Sequence, residues 1–529
     1  MPRRASPPRA SGGRRTGRND RVSEKGAAIP ILGIDIGTGG SRALVVDDAG
    51  TILASSTAPH EPFASLGPAW AEQDPADWWQ AAVKATREAL AASGLPASAI
   101  GAVGLSGQMH GAVLLDAQGN VLRPSIIWCD QRTAEECRWL EQEVGRDRLL
   151  ELTANPALTN FTLTKLLWVR KHEPDVWSRV RHVLLPKDYV RYRLSGAHAI
   201  DVADASGTLM LDVAKRQWSD EMLAAAGIRR EMLPEVFESP AVCARVSAEA
   251  AEATGLPVGT PIVAGAGDQA AGAVGMGITT PGTVSVTIGT SGVVFAATER
   301  PALDRKGRIH TFCHAIPDRW HVMGVTQAAG LSLRWFRDQW GAGSDDAAYE
   351  QLTREAAAVP PGADGVLWAP YLMGERTPHT DPDVRGDLLG LAASHTRGHL
   401  VRAVLEGVAF SLRDSFGIFD ELALPIGRVR VGGGGARSAL WRSIQAAVYG
   451  RAVETVVAEE GAAYGAALLA GVGAGIWPSV DAACDAVVRT KEVTEPDPTA
   501  VKVLEERYRQ FQRVYPALRD VYRGASSQS

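Results

Sequence analysis

From Ile31 onward the chain alternates short apolar runs with glycine-bearing breaks. Ile31-Leu32-Gly33-Ile34-Asp35-Ile36 reads as a β-strand, Gly37-Thr38-Gly39-Gly40 as a turn, and Ala43-Leu44-Val45-Val46 as the returning strand. Asp48-Ala49-Gly50 and then Thr51-Ile52-Leu53-Ala54 extend this hairpin into a meander. At Asp74-Pro75 the period changes. Asp74 can cap a helix, Pro75 takes its first position, and Trp78, Trp79, Ala82, Val83 and Leu90 recur at helical spacing up to Gly94. The same start signal at Asp497-Pro498 predicts a C-terminal helix as far as Tyr522, kinked or interrupted by Pro516. Strands alternate with helices in both halves, which predicts α/β layers.

One motif occurs twice. Val286-Thr287-Ile288-Gly289-Thr290-Ser291-Gly292 repeats the pattern Ile34–Gly40 at an offset of 252 residues, and Val293–Ala297 follows it as Ala43–Val46 follows the first. This period far exceeds the roughly 20–50 residues of a solenoid unit and predicts two similar lobes. The boundary falls near Thr280-Pro281-Gly282. The expected organisation is a disordered basic tail at 1–29, one lobe at 30–280, a second at 281–523 and a loose end at 524–529.

Charge sharpens this picture. The 529 residues are 45% hydrophobic and 22% charged, with a formal net charge of −5. Residues 1–25 hold eight basic side chains against two acidic ones, so the remainder carries −11. An acidic body does not look like a nucleic-acid binder, which draws its affinity from phosphate neutralisation; the basic tail alone could touch nucleic acid or membrane or serve as a transit peptide, with a disordered extension as the plainer reading. The tail has no apolar core and so is no secretory signal. Five cysteines without a C-x-x-C pair imply neither a disulfide framework nor a zinc site, and the reducing cytoplasm is the expected location. With no charge-free apolar run of about 20 residues, no membrane span is expected.

Candidate chemistry clusters at the glycine-rich breaks. A tight turn exposes backbone N–H groups that can cradle phosphate oxygens, with Thr38 and Thr290 adding hydroxyls; the alternative is two plain hairpin turns. Asp35, beside the first turn, is placed to hold Mg²⁺. No G-x-x-x-x-G-K-[ST] loop occurs, which excludes a Walker-type site. In Val263–Gly275 an apolar strand runs through Gly265-Ala266-Gly267 into a small-residue helix at Asp268. Asp268 reads equally as a helix cap or as a base that takes a proton from a substrate hydroxyl. Gly104-Leu105-Ser106-Gly107-Gln108-Met109-His110-Gly111 offers hydrogen bonds to a polyol or carbonyl, although a lone histidine is more often structural. Trp128–Arg132 suits either a pocket wall or a buried salt bridge. Gly432–Gly435, between a strand and the helix Ala439–Tyr449, admits a flat ligand or phosphate or is simply a flexible loop. Gly461–Ala467 reads as a helix face for close packing.

Taken together and in order, these motifs resemble the FGGY family of carbohydrate kinases. The resemblance rests on the turn after Asp35, Gly265–Gln269, Gly289–Gly292, Gly433–Arg437, Thr164–Trp168 and Gly386–Gly407, and runs from Ile31 to about Gly471. It implies two actin-like lobes of the ribonuclease H type with the active site in the cleft between them, ATP and Mg²⁺ as phosphate source, and a possible homodimer. The loop 107–111, with Leu184–Tyr189, Asp204–Thr208 and Gly374–His379, is similar to members acting on ketopentoses. D-xylulose is therefore the implied acceptor, with ribulose, arabitol or xylitol as alternatives. The resemblance makes Asp268 the general base and Asp35 the acidic residue near the metal. Gln108, Met109, His110 and Gln269 become sugar contacts, while Thr38, Gly289, Thr290, Ser291, Gly434 and Gly435 hold the nucleotide. Gln269 stands where many members carry Asn, and its extra methylene moves the amide by about one bond length in a site that depends on positioning. An actin-like or chaperone-type ATPase shares such lobes but needs no polyol pocket.

Overall fold

The computed structural model describes residues 29–523 apart from 64–66, 68, 342, 344–345 and 459. The expected tail, all but its last residue, and the expected loose end at 524–529 lie outside the described residues.

Two mixed seven-stranded sheets organise the molecule. The first has the order Val242–Arg245, Pro261–Val263, Ala102–Gly107, Ile31–Ile36, Gly40–Val46, Ile52–Pro59, with Ala266–Gly267 also pairing to Ala102–Gly107. The second has the order Thr490–Thr494, Val453–Val456, Ile426–Gly433, Gly282–Ile288, Gly292–Thr298, Trp320–Thr326, His310–Cys313. In each sheet the opening strand is antiparallel to its hairpin partner and parallel to a strand much later in the chain. Ile36 lies opposite Gly107 and Ile288 opposite Gly433, so the two glycines are equivalent. The loops that follow them leave the same edge of their respective sheets. These are two actin-like lobes, as the internal repeat predicts.

Central strands in such sheets are covered on both faces and read as nearly continuous apolar runs. Ile31, Leu32, Ile34 and Ile36 are buried in the first sheet, and Val284, Val286, Ile288, Val429 and Val431 in the second. The helix Pro75–Ser93 follows the sequence signals closely. Asp74 accepts the N–H of Ala76, and Gly94 ends the helix with φ of 66°. At the other end the chain forms Pro498–Phe511 and Val514–Arg523, with Pro516 in the first turn of the second helix, where a missing N–H costs little. The interruption thus falls just ahead of the proline.

Two features tie the lobes together. The helix Gly461–Gly473, from the second half of the chain, packs on the first sheet and on the helix Asp268–Gly275. This needs glycine, because a Cβ on Gly465 would lie 1.8 Å from the carbonyl oxygen of Ala271. In addition, the segment between Gly107 and Val242 folds as a largely helical insertion whose core, including Phe161, Leu166 and Leu209, also takes in Phe295, Phe312 and Met323 of the second sheet. Among the described residues no helix is long and apolar enough to cross a membrane.

Candidate active site

Strand register places Asp35 between Arg42 and Ser106. Ser106 Oγ donates to Asp35 Oδ1 at 2.7 Å. Burial raises the carboxyl's pKa, while the Ser106 hydrogen bond and the Arg42 charge act the other way. Asp268 enters from the strand end at Ala266–Gly267 and is the first residue of the helix Asp268–Gly275. The cap position belongs to Gly267, so Asp268 does not serve as the N-cap. Half-buried, its carboxyl is pushed up to about 7, first by its enclosure and then by the negative charge of Asp35, against the pull of the Gln269 backbone and side-chain amides. Both aspartates and Gln269 line one cavity of about 720 Å³, together with Thr287 of the second sheet and Gly433, Gly434 and Arg437 beyond it.

A second cavity of about 830 Å³ adjoins the first, with Gly434 and Arg437 common to both. Gly289, Thr290 and Gly435 line it, and Leu333, Tyr349 and Trp441 supply apolar and aromatic surface. Each cavity is of a size that accepts a small-molecule ligand. Ser291 lines neither; its carbonyl accepts the Gly289 N–H at 2.9 Å and shapes the turn.

The loop Gln108–His110 starts from the strand that borders Asp35. Met109 packs against the residue before Asp268, since a Cβ on Gly267 would lie 2.8 Å from Met109 Cγ. His110 has φ of 69°, and its Nδ1 is 2.7 Å from the Gly207 carbonyl. A carbonyl only accepts, so Nδ1 carries the proton and Nε2 is an acceptor. Burial, then the Lys165 charge, lower its pKa to about 3, so the imidazole is neutral. Its ring meets Phe161 edge-to-face with centroids 5.0 Å apart.

None of Thr38, Gln108, Met109 and His110 lines either cavity, and Gln108 and Thr38 lie in a wall. Gln108 Nε2 donates to Gln73 Oε1 at 2.9 Å, Gln73 donates to the Thr38 carbonyl at 2.8 Å, and the Trp128 indole donates to Thr38 Oγ1 at 2.9 Å. This network secures the Gly37–Gly39 turn. Farther along, Arg132 pairs with Asp130 and Glu72 at 2.7 Å each, so the 128–132 segment is mainly a buried salt bridge.

Sequence reasoning did not single out three further features as parts of a site. Arg42 flanks Asp35 but stands among ordinary strand residues, and Ser106, on the other side, belongs to the 104–111 motif without having been tied to Asp35. Beneath the 107–111 loop, Lys187 Nζ lies 2.6, 2.6 and 2.9 Å from the carboxylates of Asp188, Asp201 and Asp204, all fully buried. These three acids could together hold a cation, but Lys187 and Arg191, which pairs with Asp188, already place two cations among them. Arg376, from the second lobe, has no side-chain hydrogen bond or ion pair among the described residues, and its charge helps to keep His110 neutral. The motifs at 184–189, 204–208 and 374–379 quoted for the resemblance thus converge on this loop.

Comparison with known proteins agrees with this geometry. Residues 30–275 match the N-terminal domain, and residues 284–474 the C-terminal domain, of the FGGY family of carbohydrate kinases. The chain is 37% identical to the xylulose kinase of Bacillus subtilis over 93% of its own length and 97% of that protein. It is 41% identical to the Escherichia coli xylulose kinase, over 84% and 90%. Among solved structures, the xylulose kinase from Rhodospirillum rubrum superposes with a TM-score of 0.87 at 34% identity, covering 93% of this chain and all of that one (100%). With domain matches along most of its length and relatives this similar, the chain belongs to the FGGY family of carbohydrate kinases.

Proposed function

We propose that this protein transfers the γ-phosphoryl group of MgATP to the 5-hydroxyl of D-xylulose, with Asp268 as general base. FGGY sugar kinases use ATP as phosphate donor, generally with a metal ion. The observation that carries the reading is the carboxyl of Asp268, raised to about 7 and open to the interlobe cavity beside Met109. A base of that strength is matched to neutral pH.

Phosphoryl transfer asks the protein mainly for position and charge balance. In this reading Asp268 orients the alcohol and receives its proton, and Met109 and His110 form the sugar side. The neutral His110 Nε2 accepts a hydrogen bond from a sugar hydroxyl, while Gln269 holds the base and contacts the sugar. The turn 289–291 and Gly434-Gly435 take the nucleotide, and Thr38 with Gln108 keeps the first turn in shape behind it. The donors also suit a hard divalent cation, since Ser106 bonds Asp35 Oδ1 and no hydrogen bond among the described residues engages Oδ2. Mg²⁺ there would neutralise developing phosphate charge. Closing the lobes would keep water from the γ-phosphate. A cytoplasmic location and a homodimer complete the reading; five unpaired cysteines support the first, and the family resemblance supports the second.

Asp268→Asn is the direct test. It keeps shape but removes the base, and kcat should fall by about 10²- to 10⁴-fold with the sugar KM little changed. Turnover near the wild-type value would contradict the assignment.

A further inference from the structure

Behind the cleft lies a third cavity, of about 510 Å³, that shares no lining residue with the two cleft cavities. Gly277–Thr283, the connection from the first lobe to the second, forms one wall, and Asp481–Thr490, which leads back into the second sheet, forms another. Arg319, Arg428, Arg430 and Arg489 line it, against Asp481 and Asp485.

These four cations are incompletely matched by anions. Arg319 pairs with Asp481 at 2.8 Å. Arg428 and Arg430 share a single carboxylate, Glu454, at 2.6 and 3.6 Å. Arg489 has no carboxylate partner among the described residues; its guanidinium donates to the carbonyls of Asp485, Ala486 and Val488 at the end of a helix. Arg430 is 7% exposed; its Nε is the atom that faces Glu454, too far for a hydrogen bond, and one terminal nitrogen donates to the Met276 carbonyl. Burial and the neighbouring Arg428 charge hold Arg430 below its ordinary pKa, as expected for two guanidiniums on one strand face with too little negative charge near them. Thr280 and Thr283 add hydroxyls to the same walls.

We infer that this pocket binds the phosphate group of a small anion. Guanidinium forks match phosphate oxygens in geometry as well as charge. Binding would supply the counter-charge that Arg428 and Arg430 now divide. The cavity is large enough for a phosphorylated sugar as well as for free phosphate. Because its walls are two of the connections between the lobes, an occupant would also bridge the hinge.

Calorimetric titration of the full chain, with ADP and D-xylulose saturating the cleft, decides the matter. Ribose 5-phosphate and inorganic phosphate are the probes, and Arg428→Ala/Arg489→Ala is the variant. Both side chains are largely exposed, so the fold should survive, and an unchanged melting temperature would verify that. The wild type should show one site that weakens at least about tenfold in the variant, while a Lys/Lys variant keeps most of the affinity. Sugar-dependent ADP release without added phosphate should be the same in all three. Tighter binding of ribose 5-phosphate would identify a sugar phosphate as the ligand, and equal binding of the two probes would identify free phosphate. No saturable binding to the wild type up to about 10 mM, or equal affinity in the Ala variant, would overturn the inference.

Discussion

Two carboxylates facing one cavity cannot ionise independently, and this governs the chemistry at the residue scale. The charge of Asp35, after burial, pushes the Asp268 carboxyl up. With Asp268 as the proposed base, which must be ionised to act, kcat/KM should decline as pH falls through about 7. In Asp35→Asn that acid limb should move to lower pH, since the repelling charge is gone. A pH profile of kcat/KM for both proteins checks this; an unmoved limb would show that the pair is uncoupled. The sequence made Asp268 visible as an acid at a strand end among small residues. It left cap and base open, because that choice turns on whether Gly267 or Asp268 takes the half-helical position, a matter of backbone angles. Thr38 and Gln108 were legible as loop residues. Their partners, Trp128 and Gln73, lie 90 and 35 residues away, and no local pattern links them.

At the level of elements, small residues rather than large ones carry the decisive contact. The helix bearing Asp268 is held against Gly461–Gly473 at backbone distance, so Gly465→Ala should overpack the contact, cost about 1–3 kcal/mol of stability and displace the base. Gly417→Ala is the control. That glycine is exposed in the helix Arg397–Glu421 with open space where its Cβ would go, and it should gain about 0.5–1 kcal/mol without changing turnover. Urea unfolding with kcat on the same samples separates the two. Equal effects would mean that close approach does not matter here. The sequence revealed the small-residue face of 461–467 but not its partner, since such faces permit contact without naming what they touch. The hairpins, the helix from Pro75 and the cap at Asp497 were legible because each is specified within a few residues.

The whole molecule was legible through its repeat. Two copies of a strand–turn–strand unit 252 residues apart imply two sheets, and equivalent registers at Gly107 and Gly433 then bring the 107–111 loop and the 433–437 turn to matching edges. Less legible was the way the lobes interlock, with the 461–473 helix lying on the first sheet and the 108–241 insertion sharing its core with the second. Both depend on long-range packing. An actin-like ATPase shares this architecture, and turnover separates the two readings: a kinase that needs a polyol acceptor should hydrolyse ATP slowly without one. The account is tested most directly by measuring ADP release from MgATP in the presence of D-xylulose, D-ribulose, L-ribulose, xylitol, D-arabitol or glycerol. Strong stimulation by D-xylulose over the other acceptors is the predicted result. Stimulation by another polyol would contradict the acceptor and place the difference at Gln269 and the 107–111 loop, whereas ATP turnover indifferent to every sugar would contradict the kinase itself.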